Sequence, residues 1–153
     1  MSFPVPKRVL SCYLAALLAV GAAPVAQAQV TVDGAWARTT VPNQSATGAF
    51  MRLTTRKDVV LVGASSPVAG IVEVHEMSMV KDIMRMRAAD RVPLKAGQTI
   101  ELKSGGLHIM MMDLKKQIKA GERVPLTLSF EAANGTLSTV KVNATAGFAP
   151  PAR

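Results

Sequence analysis

Two histidines and a crowd of methionines are the residues of this chain best suited to chemistry. Only His75 and His108 are histidines among 153 residues, and both lie between His75 and Met112. Seven of the nine methionines lie there too: Met77, Met79, Met84, Met86, Met110, Met111 and Met112. Each histidine is followed two positions later by a methionine, as His75-Glu76-Met77 and His108-Ile109-Met110. Residues i and i+2 of a β-strand point to the same face. A His-x-Met triplet in a strand therefore presents an imidazole and a thioether side by side. Neutral nitrogen with thioether sulfur is a soft donor set, suited to Cu(I).

Taken singly, these residues have ordinary readings. A histidine in a strand is usually a surface or hydrogen-bonded group, and a methionine usually fills a gap in a core. Met51 and Met111 are read that way, and Met79 and Met112 are left open. The joint arrangement favours ligation for His75, Met86, His108 and Met110. Cys12 is the only cysteine. It falls in an N-terminal leader, so the mature protein has no thiolate ligand, thiol nucleophile or disulfide.

The leader is residues 1–28. Lys7 and Arg8 form its basic start, Val9 to Val25 its apolar stretch, and Ala26-Gln27-Ala28 an A-x-A cleavage signal. Cleavage after Ala28 implies export, with a bacterial periplasm as the compartment. Acylation at Cys12 is disfavoured, because the apolar stretch lies mostly after it. Removing the leader leaves 16 basic and 10 acidic residues, a net of +6. The basic residues are dispersed, which fits a solvated surface or steering towards an acidic protein or membrane surface. No basic run interleaved with aromatics points to nucleic acid. No apolar run in the mature chain is long enough for a membrane helix.

The elements that must position the donors are strands. Short β-branched or alternating runs cover Val30 to Ala37, Ala46 to Thr54, Val59 to Ala64, Ile71 to Met77 and Ile83 to Arg87. Others cover Thr99 to Leu102, Leu107 to Leu114, Val124 to Glu131 and Leu137 to Ala144. Turn signals such as Ala96-Gly97, Ser104-Gly105-Gly106 and Asn134-Gly135 separate them. This pattern predicts an all-β sandwich or Greek-key barrel. The expected layout is one domain over 29–146 and an extended tail over 147–153. Trp36, Phe50 and Phe130 are expected in the core, and Pro125 at a strand start or edge.

On these residues the chain resembles the periplasmic copper chaperone family PCuAC. The spacing is His75, ten residues, Met86, twenty-one residues, His108, one residue, Met110, without a gap. Gly105-Gly106-Leu107-His108, Ala35-Trp36-Ala37-Arg38 and Thr47-Gly48-Ala49-Phe50-Met51 also fit that family. The resemblance implies a cupredoxin-like β-sandwich that binds Cu(I) and helps deliver it to cytochrome c oxidase. It implies His75, Met86, His108 and Met110 as ligands, with Met77 a spare nearby. The acceptor would be an apo-protein such as an oxidase copper subunit or another copper chaperone. Some relatives carry a His- and Met-rich tail suited to Cu(II), but here no His or Met follows Met112.

Other function classes fare worse. A blue-copper electron carrier needs a cysteine ligand. An enzyme is not expected: no nucleophile elbow, paired-carboxylate motif or phosphate loop is present, and Glu73 and Glu76 read as surface residues. A passive copper buffer, or an interaction module without metal, remains the alternative.

Overall fold

β-Branched and aliphatic residues at alternate positions give this chain strands that each have one apolar face. The computed structural model describes residues 30–151, so the leader and Cys12 lie outside the described residues. The strands are β1 (Val30–Arg38), β2 (Ala46–Thr55), β3 (Val59–Ser65), β4 (Ala69–Val80) and β5 (Ile83–Ala88). They continue as β6 (Val92–Leu94), β7 (Thr99–Leu102), β8 (Leu107–Leu114), β9 (Arg123–Ala132) and β10 (Leu137–Gly147). Among the described residues none is helical. The all-β expectation is met. β6 went unanticipated: it has three residues, and one of them is Pro93.

All ten strands join one sheet, in the order β5-β4-β8-β2-β1-β10-β9-β3-β6, with β7 paired to β2. Non-sequential neighbours such as β4 with β8 and β1 with β10 give it a Greek-key character. The β1–β10 pair is parallel. Leu53 and Met111 come from one half of the sheet and Leu61, Leu128 and Phe130 from the other. All five are fully buried in a single cluster, so the sheet folds over one core. Burying each such side chain stabilises the fold by roughly 1.5–3 kcal/mol.

A bulge in β1 decides which residues face that core. Val30 pairs with Thr55 and Val32 with Leu53, but the register shifts between Asp33 and Trp36. Gly34 there has φ of +60°, a conformation glycine adopts without strain. One extra residue reverses the alternation downstream. Ala37 then enters the core opposite Ala49, while Trp36 lies opposite Phe50 on the outer face. Trp36 and Phe50 are buried as expected, yet they stand outside the main core cluster. Phe130 is in it. Pro125 sits near the start of β9, before the stretch of that strand paired with β3.

Arg91 and Glu131 clamp the far side of the sheet through a two-pronged pair at 3.0 and 3.1 Å. The hydrogen bond from Arg91 holds the Glu131 carboxyl below its ordinary value. A depressed folded-state value means stability that is present above the ordinary carboxylate range and lost on acidification. Glu131→Gln is therefore expected to lower the urea midpoint slightly at neutral pH. That difference should close as the pH falls through the depressed value.

Candidate metal centre

The outer face of β4, β5 and β8 collects the donors because the strand register puts them in line. β4 pairs with β8 along one edge, setting His75 directly opposite His108, Glu73 opposite Met110 and Ile71 opposite Met112. Along its other edge β4 pairs with β5, setting Met77 opposite Met86 and Met79 opposite Met84. The core parity of Val74, Ile109 and Met111, all buried, fixes the donors on the opposite face. β4 is longer than expected at its C-terminal end, running on through Ser78 to Val80. The hairpin thus projects past the start of β8.

The β4–β5 turn holds that alignment. Lys81 and Asp82 both have positive φ, 50° and 62°. Two left-handed residues in succession make the tight two-residue hairpin whose twist matches its strands. Such a turn leaves no slack in register.

His108 is 5% exposed. Its Nδ1–H donates to the Gly106 carbonyl at 3.0 Å. A carbonyl oxygen can only accept, so Nε2 is left with its lone pair free. The ring lies 6.3 Å from that of Phe50, which in turn lies 4.7 Å from Trp36. The two outer aromatics form a platform beneath the histidine.

His75 stands edge-on to His108 with ring centres 6.1 Å apart. Two imidazoles on one ion at roughly 2.0–2.1 Å per metal–nitrogen bond put their ring centres on the order of 5–6.5 Å apart. The observed spacing lies in that range. His75 Nε2 is 2.9 Å from Glu73 Oε2. The carboxylate accepts, so Nε2 carries the hydrogen. His75 Nδ1 is buried and has no hydrogen-bond partner among the described residues. An unmatched buried ring nitrogen costs on the order of 1–3 kcal/mol, and a soft cation would satisfy it.

A cavity of about 250 Å³ opens beside His108, with Thr47, Gly48, Met77, Met86 and Met110 in its wall. Gly48 pairs with Met110. A Cβ at Gly48 would lie 2.8 Å from the Phe50 ring, so glycine keeps this floor open. A larger groove of about 620 Å³ runs past Trp36 and Phe148 and shares Arg38, Phe50 and Ser104 with the cavity. Its one sulfur, Met51, is buried in the core, whereas the smaller cavity has three thioethers, Met77, Met86 and Met110, in its wall.

Of the four expected ligands, His75, His108 and Met110 lie together on β4 and β8, and Met86 sits on β5 beside Met77. Met51 and Met111 are core residues, 3% and 0% exposed, and Met79 is 65% exposed. Glu73 lies on the surface as expected, with its side chain 47% exposed, and it is in hydrogen-bond contact with His75. Its parity with His75 was visible in the sequence, but its bond to the imidazole was not. Among the described residues no three His, Cys, Asp or Glu side chains gather where they could hold a metal. A metal here would need thioether sulfur.

Comparison with known proteins gives a consistent picture. Residues 30–144 match a family described as "Putative lipoprotein LpqE-like". A putative lipoprotein of Leifsonia xyli is 33% identical over 116 residues, covering 74% of this chain and 68% of its own. An uncharacterized protein of Rickettsia prowazekii is 30% identical over 123 residues, covering 76% and 68%. Among solved structures, the apo PCuAC domain from PmoF1 superposes with a TM-score of 0.63 at 21% identity. That match covers 78% of this chain and 93% of the domain. A Cu(I) form of a Deinococcus radiodurans protein gives a TM-score of 0.55 at 32% identity, over 79% of this chain and 82% of its own. The fold is that of PCuAC domains.

Proposed function

This chain belongs to the LpqE-like family, and on that footing we propose that it is an exported Cu(I) carrier of the PCuAC kind. His75, Met86, His108 and Met110 hold the ion, and Met77 stands beside them. The observation that carries this reading is the direct opposition of His75 and His108, with Met110 on one side and the Met77–Met86 pair on the other, all on the same face. The compartment is the periplasm after cleavage at Ala28, and the cargo is delivered to an apo-acceptor, with the copper centre of cytochrome c oxidase as the destination. The lipoprotein descriptions belong to the relatives.

The donor set explains a carrier better than a store. Two imidazoles and two thioethers bring no formal charge, so they hold Cu(I) less firmly than thiolates and disfavour oxidation to Cu(II). Each donor can be exchanged for one on an acceptor without moving an electron. Glu73 brings a negative charge into direct contact with a donor residue, and it fixes the His75 ring through Nε2.

Native mass spectrometry of the mature protein with one equivalent of Cu(I) and a competing chelator tests the reading. One retained ion is expected; a chain that yields all its copper to a weak chelator would end it. Transfer to an apo-acceptor then separates a chaperone from a passive buffer. Glu73→Ala is expected to weaken Cu(I) binding by about 10–100-fold, as for other groups that orient metal-binding histidines. Glu73→Gln should lose less, because an amide oxygen still accepts from Nε2. Equal losses in both variants would mean that charge, not ring orientation, is what Glu73 provides.

A further inference from the structure

The β4–β5 hairpin has two unlike faces. One carries Glu76 opposite Arg87, Ser78 opposite Arg85 and Val80 opposite Ile83. The other carries thioethers at every position beyond His75: Met77 opposite Met86, then Met79 opposite Met84. Ordinary reasons for methionine do not apply there. Met79, Met84 and Met86 are 65%, 46% and 48% exposed, so they fill no core gap. Strands favour β-branched and aromatic residues over straight chains. Exposed thioethers are also open to oxidation to sulfoxides, a liability in an exported protein. What these four share is sulfur on one face.

We propose that Met77, Met79 and Met84 form a second, solvent-facing site for a soft monovalent ion, Cu(I) or Ag(I), outward of His75 and His108. Directly opposed residues have Cβ atoms about 4.5–5.5 Å apart. Methionine has three rotatable bonds, so Met79 and Met84 can close on one ion between them. Met77 lies two residues back along the same strand, roughly 6.8 Å away, and its side chain reaches the same point. The two-residue Lys81-Asp82 turn sets the register of the outer pair.

Met77 also lines the cavity with Met86 and His108. The outer site and the histidine site therefore meet at the Met77–Met86 pair. An ion passes inward by ligand exchange. Each step forms one Cu–S or Cu–N bond and breaks one Cu–S bond. The metal remains Cu(I) throughout, and no proton leaves the chain. The outer site stands on the hairpin alone; only the direction of passage rests on the function proposed above.

The test is a titration of the full mature protein with Ag(I), a redox-inert stand-in, watching 13C-labelled methionine methyls and the histidine rings by NMR. The first equivalent is expected to shift His75, His108 and Met110, and the second Met79 and Met84. Met79→Leu combined with Met84→Leu keeps the apolar surface and the strand, and its uptake is expected to fall from two ions to one. Met79 and Met84 methyls that stay still through two equivalents would overturn the outer site and leave the histidine site standing. Movement of those methyls with unmoved histidines would do the reverse. A double variant that binds both ions but hands copper poorly to an acceptor would make the tip a protein-docking surface, and would also overturn the proposal.

Discussion

His108→Ala is expected to reduce Cu(I) affinity by at least about 100-fold, beyond the loss typical of outer-shell changes, while the protein stays folded. His108 faces His75 across the strand pair, rests on Phe50, and has its Nδ1 occupied by the Gly106 carbonyl. Its free Nε2 is thus aimed by three separate contacts, and no other imidazole can take its place. The structural penalty is smaller: one hydrogen bond of about 0.5–1.5 kcal/mol and some packing against the aromatic platform. Chelator competition reads the affinity, and circular dichroism with a urea melt reads the fold. An unchanged affinity in a folded variant would remove His108 from the site.

Met110 and Met111 are neighbours in sequence and should behave as opposites. Met111 is fully buried among core residues, while Met110 faces the cavity. Met111→Ala is expected to cost about 2–5 kcal/mol of stability through the void it leaves, with copper stoichiometry intact. Met110→Leu conserves volume and should cost under about 1.5 kcal/mol, yet lower Cu(I) affinity about tenfold or more through loss of a donor. Urea midpoints and chelator competition on the two variants give a crossed pattern. If both lost stability and copper alike, the two faces of β8 would not have separate roles.

Much of this was legible in the sequence because it is local. The i, i+2 rule pairs His75 with Met77 and His108 with Met110 whatever the sheet does, and the same rule sends Met111 inward. Strand positions were readable for the same reason: Thr99–Leu102 and Leu107–Leu114 coincide with their apolar runs. The rest depends on partners distant in the chain. That Met86 meets Met77, or that His75 meets His108, follows from register, which no single strand encodes. β4 outruns its expected end because Ser78 and Met79 lie on a solvent-facing hairpin where the apolar pattern fades. β6 escaped notice because Pro93 reads as a breaker, yet it pairs with Val60 at the sheet edge. Glu73 has a parity visible in sequence and a role set by where its carboxylate swings.

A strand counts in twos, and β1 miscounts once. Losing a single residue between Asp33 and Trp36 would swing the indole into the interior and Ala37 out to solvent, stripping the shelf on which His108 rests. No histidine or methionine would have changed. Two relatives could therefore carry an identical donor motif and differ in competence, and the cause would lie in an indel two strands away from His108.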